Sequence, residues 1–337
     1  MKPPYHIGAV CIAMALAACS GAQTGSTGNA IPAVGAPQTG SLAGAHRASA
    51  ALILVANENT GLGGSIREYA ESADGNVAPS TVISHINGPY AIAFSSTEGI
   101  GIANGNIASG GQSGAETFAL GTTGNAQQLT GISCFNKPSQ TNAVAFDGTG
   151  NLYVADVSGR AKAIDVFAPG ASGCISPMRT IPETGGLAID SNNVLYVANK
   201  TTATIDLFPS GSGTMEAQIG GSNTGLLAPS TVAVDASLNV YVFDTMTATI
   251  SEFAAGAHGN VAPVRTIFGS KTGLSGGNGF SFGLAVSKTS GEIFVSNPGS
   301  NAILGFAATA SGNVAPIQTI AGSATGLSDP LGVALAE

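Results

Sequence analysis

An all-β, six-bladed β-propeller of four-stranded antiparallel blades, closed by the C-terminal strand joining the N-terminal blade, is the fold this sequence predicts. Three observations predict it. A short aromatic-bearing strand recurs six times, Gly-rich turns of nearly constant length follow the copies, and an unmatched strand at the C-terminus complements one missing at the N-terminus. Composition agrees. Charged residues are 9% of the 337, against roughly 25% in ordinary domains, and Gly is abundant at 48 residues. After residue 18 no apolar run approaches the ~20 residues of a membrane-spanning helix, so few charges and many Gly point to sheets with tight turns. A formal net charge of -8 offers no basic patch, which argues against nucleic acid as a partner.

The first element is a leader. Lys2 precedes an apolar stretch from Ile7 to Ala18, and Cys19 follows. A short positive region, an apolar core and small residues before a cut are the layout of a secretory signal. Leu16-Ala17-Ala18-Cys19 resembles the bacterial lipobox, which implies removal of residues 1–18, acylation of Cys19 and anchoring to a membrane. Ser20 stands where an Asp would resemble an inner-membrane retention signal, so the outer membrane is the expected address, with the body facing the periplasm or the surface. Residues 19–50, rich in Gly, Ser, Ala, Thr and Pro without periodicity, read as a flexible tether.

The body spans 51–337. Its second strands are Asn151-Leu-Tyr-Val-Ala-Asp156, Val194-Leu-Tyr-Val-Ala-Asn199, Asn239-Val-Tyr-Val-Phe-Asp244 and Glu292-Ile-Phe-Val-Ser-Asn297, with weaker copies at Leu52–Asn57 and Ile100–Asn104. A small apolar first strand precedes each full copy, as in Asn142–Asp147 and Thr231–Asp235. A third strand follows with one aromatic: Tyr69, Phe118, Phe167, Phe208, Phe253 and Phe306, spaced by 49, 49, 41, 45 and 53 residues. Such periods match propeller blades. Gly-Asn-Val-Ala-Pro at 75–79, 259–263 and 312–316 opens the fourth segment. The N-terminal copy starts at Leu52 with no first strand, and Leu331–Ala336 supplies a spare one. Their pairing would leave no free sheet edge.

These repeats resemble NHL-type repeats and the related six-bladed, TolB-like propellers across about residues 51–337. The resemblance implies the fold and leaves the function open. Gluconolactonase-like enzymes of this architecture hold a divalent metal at the channel with Glu, Asn and Asp. Here the first strands carry Ala, Val, Leu, Ile, Phe and Gly at those places.

Loop lengths single out a working face. The step from the end of strand one to the end of strand two is nine residues in four copies, and from the third-strand aromatic to the next Pro ten in four copies. On the opposite face the two–three interval is nine in the last three blades but 12, 14 and 11 in the first three. Length variation gathered on one face is where repeat proteins place binding loops. The candidate residues there are Asn104, Asn106, Gln112, Glu116, Phe135, Asn136, Lys137, Lys271, Asn278 and Phe280.

Catalytic and metal-binding constellations are not expected. Asp147, Asp190 and Asp235 recur at one repeat position, where an Asp leading into a turn bonds its own backbone. The body holds two histidines, His85 and His258, in different blades, which by themselves make no zinc site and no triad base. Export to an oxidising compartment favours pairing of Cys134 with Cys174, while the blade map puts them on opposite faces. The reading is a monomeric, non-catalytic binding propeller without cofactor, recognising a protein, peptide or glycan. The alternative is a metal-dependent hydrolase or lactonase.

Overall fold

The computed structural model describes residues 51–58, 63–105, 114–133, 140–157, 162–276 and 283–337. Of the sequence-derived candidates, Cys19, Asn106, Gln112, Cys134, Phe135, Asn136, Lys137, Asn278 and Phe280 lie outside these residues.

The described residues form twenty-four strands in six four-stranded antiparallel sheets. Blade 1 contains β1 (Leu52–Asn57), β2 (Gly64–Ala70) and β3 (Thr81–Ile86). Blade 2 is β4 (Pro89–Ser95), β5 (Gly99–Asn104), β6 (Gly114–Phe118) and β7 (Thr130–Ile132). Blade 3 is β8 (Thr141–Phe146), β9 (Leu152–Asp156), β10 (Ala163–Phe167) and β11 (Arg179–Ile181). Blade 4 is β12 (Gly186–Ile189), β13 (Leu195–Asn199), β14 (Thr204–Phe208) and β15 (Ala217–Gly220). Blade 5 is β16 (Pro229–Val234), β17 (Val240–Asp244), β18 (Thr249–Phe253) and β19 (Arg265–Ile267). Blade 6 is β20 (Leu284–Val286), β21 (Ile293–Asn297), β22 (Ala302–Phe306) and β23 (Gln318–Ile320). The last strand, β24 (Pro330–Ala336), joins blade 1. It pairs with β1 from Leu52 opposite Ala336 to Asn57 opposite Pro330, so the two ends of the chain close the ring as expected.

Each second strand is sandwiched between two neighbouring blades, which is why β9, β13, β17 and β21 are buried along their whole length. Both faces of such a strand must be apolar, and sequences such as Leu-Tyr-Val-Ala meet that need. The core is a set of seams. One packs Leu54, Ile66 and Ile83 against Ile100, Ile102 and Phe118; another packs Tyr241, Phe243 and Ile250 against Leu284, Val295 and Phe306. Each fully buried Ile or Phe contributes about 1.5–3 kcal/mol.

The predicted Asx turns are present. The Asp147 carboxylate accepts the N–H groups of Thr149 and Asn151 at 2.9 and 3.0 Å. Asp190 and Asp235 repeat the pattern.

The third-to-fourth connection departs from the expected tight turn. Its Gly, left-handed at φ near +70 to +83, reaches across the seam and forms a parallel bridge with the outer strand of the preceding blade. The pairs are Gly75 with Ile320, Gly124 with Ile83, Gly173 with Ile132, Gly259 with Ile219, and Gly312 with Ile267. The next residue adds a second tie: the Oδ1 atoms of Asn76, Asn260 and Asn313 each accept a backbone N–H of the preceding blade's crossover, at 2.7 Å in every case. This explains Gly-Asn-Val-Ala-Pro as an inter-blade latch. Among the described residues no such bridge covers the outer strand of blade 3. There Pro182 stands where the bridging N–H is needed, and the blade 4 connection, Pro209 to Glu216, lacks Gly-Asn. A Pro at an otherwise open edge also blocks pairing with another chain.

Candidate functional site

The innermost strands of all six blades line an axial channel, with about 70 Å³ of space for water. The six strands come close because glycines stand where one first strand meets the next. A Cβ on Gly186 would stand 2.4 Å from Ser230 O, and one on Gly283 would stand 2.0 Å from Val333 N. Small apolar groups with Ser230, Thr231, Asn142 and Tyr90 make the wall. Asn142 Oδ1 is buried there without a hydrogen-bond partner. The first-strand aspartates do not point into this channel's lining; they are engaged in their turns.

Beside the mouth, on the face that carries the crossovers, Glu58 and Asp329 meet. Glu58 N–H donates to Asp329 O at 3.1 Å, and Asp329 N–H donates to Asn301 Oδ1 at 2.7 Å. Burial, then the Asp329 carboxylate, pushes the Glu58 carboxyl above its ordinary value. Burial and the Glu58 charge likewise push Tyr90 up, against a hydrogen bond with Gln140. This carboxyl pair was not legible in the sequence, because its members are separated by nearly the whole chain and meet only through ring closure.

The second-strand terminal residues form a ring of buried side chains on the same face: Asn57, Asn104, Asp156, Asn199, Asp244 and Asn297. Five of the six use Oδ1 to hold backbone. Asn57 accepts Ser328 N–H at 2.7 Å, Asp156 accepts Gln140 N–H at 3.2 Å, and Asn199 accepts Thr201 N–H at 3.0 Å. Asp244 and Asn297 accept the N–H groups of Met246 and Ser275, both at 3.0 Å. Asn104, 3% exposed, is the exception: its Oδ1 has no partner among the described residues. The crossover into blade 2 is only Asn87-Gly88, it ends at Pro89, which has no N–H, and it presents the Gly88 carbonyl to Gly105 N–H at 2.9 Å.

Asn104 and Glu116, two of the sequence candidates, come together. Their side chains hydrogen-bond, and burial raises the Glu116 carboxyl above its ordinary value despite that bond. Both line a cavity of about 310 Å³ at the outer part of blade 2, with Gln128, Ser133 and Ser172 as further polar walls. Lys271, a third candidate, is instead held in the latch between blades 5 and 6, where its N–H donates to Asn313 Oδ1; its side chain is exposed.

Cys134 lies outside the described residues, but the segments that lead to the two cysteines are neighbours, not on the opposite faces expected. Ser133 N–H donates to Gly173 O at 3.3 Å, and Gly173 N–H donates to Gly131 O at 2.7 Å. The chain immediately before Cys134 therefore runs beside the chain immediately before Cys174. The connection climbs the outer edge of the seam rather than turning on the far face, which loop counting did not reveal. Cys174 is disulfide-bonded. The two body histidines are exposed and bond locally, His85 to Ser84 Oγ and His258 to Gly256 O, both at 3.0 Å.

No protein-family model and no curated protein matches this chain. Solved structures do match it. A protein of unknown function from Bacteroides caccae is 11% identical with a TM-score of 0.60, covering 86% of this chain and all of that one. The nidogen/laminin complex contains a chain 13% identical with a TM-score of 0.57, covering 85% and 98%. The periplasmic gluconolactonase PpgL of Pseudomonas aeruginosa is 14% identical with a TM-score of 0.55, covering 85% and 99%. At these identities the likeness is one of fold: the chain is a six-bladed β-propeller.

Proposed function

We propose that this chain is an exported, lipid-anchored binding propeller of the cell envelope, built on NHL-like repeats, with a monomeric body that recognises a glycan, peptide or protein on its crossover face. Cys19 carries the acyl anchor and residues 20–50 tether the body to the outer membrane. The observation that carries the binding reading is the polar cavity at Asn104 and Glu116, which lies among the variable connections of that face. Exposed Leu227 and Met246, 54% and 69% accessible, flank Asp244 on the same face and add apolar contact area. A channel lined mainly by small apolar, Ser and Thr groups supports binding over metal-assisted hydrolysis.

Cys174 pairs with Cys134 in this proposal. Cys174 stands at the Asn position of the Gly-Asn latch, and Cys134 stands two residues after the bridging Ile132. In three other seams that second position is Gly221, Gly269 or Gly322, where a Cβ would lie 2.9, 3.1 and 2.9 Å from the Cβ of the latching Asn. Disulfides hold Cβ atoms about 3.5–4.5 Å apart, so the covalent link replaces a latch that already has nearly the right spacing. It borders the Asn104 cavity through Ser133 and Gly173.

A second reading, hydrolysis of a lactone or ester, is favoured by Glu58 and Asp329 beside Tyr90 at the channel mouth. Hydrogen exchange of the mature, lipidated chain with soluble peptidoglycan fragments and a glycan array hit separates the two. Protection gathered at Asn104, Glu116, Ser133 and Ser172 supports binding at the crossover face. Protection confined to the turns at Asp147, Asp190 and Asp235, on the other face, would overturn it, and turnover abolished by Glu58→Gln would put the hydrolase first.

A further inference from the structure

We propose that the outer rim of the seam between blades 3 and 4 is a docking surface for an acidic segment of a partner protein, with Arg179 as its anchor. Blades 3 and 5 carry an Arg at the same repeat position, and they differ in what meets it. In blade 5, Glu252 stands opposite Arg265 in the sheet and its carboxylate accepts the Nε–H. Arg265 Nη1 donates to Ala310 O and Nη2 to the Tyr241 hydroxyl, both at 3.4 Å. In blade 3, Val166 stands opposite Arg179. Among the described residues Arg179 makes one hydrogen bond, from Nη2 to the Tyr153 hydroxyl at 2.9 Å. Its guanidinium lies 5.8 Å from the centre of that ring, and its Nε is buried without a partner. The Asp165 carboxylate is taken by the Thr180 hydroxyl at 2.7 Å, and Asp147 meets the Tyr153 hydroxyl rather than the guanidinium. A guanidinium offers five N–H donors and keeps its charge, so Arg179 lacks the carboxylate that its counterpart has.

The backbone beside Arg179 is open as well. In the latched seams the Gly N–H donates to Val82, Gly131, Gln218, Thr266 or Thr319 O at 2.6–2.8 Å. Thr180 holds that place in blade 3, is exposed, and receives no such bond among the described residues. The blade 4 connection closes on itself instead: Ser212 N–H donates to Pro209 O at 2.9 Å and Thr214 N–H to Ser212 Oγ at 3.0 Å. It rests on the Arg179 side chain without bonding it, since a Cβ on Gly211 would stand 3.9 Å from Nη1 and one on Gly213 3.9 Å from Cδ. Met178, next to Arg179, is 59% exposed, and Met215, in the blade 4 connection, 46%. Arg and Met are enriched at protein interfaces, and flexible Met side chains adapt to varied apolar surfaces. Pro182 prevents a partner from adding a full strand. The contact is therefore one N–H on Thr180 O and one carboxylate on Arg179, with apolar groups against the two Met. This surface is on the rim and does not rest on binding at the crossover face.

The test is calorimetric titration of the mature, lipidated chain in non-ionic detergent with an acetylated and amidated Leu-Glu-Leu-Glu-Leu peptide and its Gln and Lys analogues. The expected result is binding of the Glu peptide and at least tenfold weaker binding of the other two. Arg179→Met keeps an apolar stem, removes the charge and is expected to lose at least tenfold. A charge-assisted hydrogen bond is of that size. Val166→Glu copies the Glu252 position, gives Arg179 a carboxylate from within its own blade, and is expected to lose as much. Thermal melts confirm that the variants are folded, and Lys200→Met, which removes an exposed charge elsewhere on blade 4, leaves the affinity unchanged. Equal binding of the Glu and Gln peptides would overturn the ionic anchor, as would full affinity in folded Arg179→Met or an equal loss in Lys200→Met. Absence of Glu-peptide binding to the folded parent chain would overturn the docking surface itself.

Discussion

Ser133 and Gly173 share a hydrogen bond, N–H to carbonyl at 3.3 Å, that stitches blade 2 to blade 3 and brings the chain entering Cys134 alongside the chain entering Cys174. Four other seams repeat the stitch with Gly75, Gly124, Gly259 and Gly312. The relationship makes the redox chemistry of this seam testable.

Peptide mapping without reductant is expected to recover the Cys134 and Cys174 peptides as one linked species. Replacing both residues by Ala opens the seam and lowers stability by about 2–4 kcal/mol, the usual contribution of a disulfide. The double change Cys134→Gly with Cys174→Asn rebuilds the latch of the other seams and is expected to recover part of that loss in a denaturant melt. A linked species joining Cys174 to any other cysteine would refute the pairing.

Ring closure depends on backbone approach at the axis. Gly283→Val places a branched side chain where even a Cβ would stand 2.0 Å from Val333 N. Strand β24 cannot then keep its place beside β20, and the change is expected to cost more than 3 kcal/mol, beyond the usual range for one substitution. The same change at Gly170, where a Cβ meets nothing within 4 Å, is a control limited to the penalty of its φ of +68. Equal melting temperatures for the two variants would count against the axial argument.

Asp147 predicts an acid-limb effect. Burial pushes its carboxyl up, but hydrogen bonds from Thr149 and Asn151 outweigh that and hold it below the ordinary value of 3.8. The unfolded chain therefore takes up the proton first as pH falls. The stabilisation is fully present above the ordinary value and is lost as pH falls through the depressed folded value. Asp147→Asn keeps an acceptor oxygen for Thr149 and Asn151 but has no proton to take up. Its unfolding free energy is expected to fall less steeply than that of the parent chain between about pH 5 and pH 2. Parallel acid limbs would show that Asp147 has the same proton affinity in both states.

The proposed lipidation rests on Cys19. Growth of the expressing bacterium with labelled palmitate should mark the full chain, and Cys19→Ala should abolish the label and release the protein from membrane fractions. Label persisting in that variant would place the anchor elsewhere.

The six-fold repeat was legible because blade strands obey local rules. An Asp that closes on its own backbone, a two-sided apolar strand and one aromatic per third strand are each readable within ten residues, and an unmatched strand at either end implied that the two would pair. The Asn104–Glu116 contact was partly legible, since both residues flank one variable connection. The backbone contacts of Asn57, Asp156 and Asn297 were not, because their partners Ser328, Gln140 and Ser275 belong to crossovers between blades. The same reason hid the Gly173 stitch and the Glu58–Asp329 pair: each joins segments whose sequences carry no mark of the other. Sequence by itself therefore determined the blades, their number and the closure of the ring. Only the tertiary structure decided what meets across the seams, because those contacts are set by backbone position around a closed circle rather than by any local pattern of side chains.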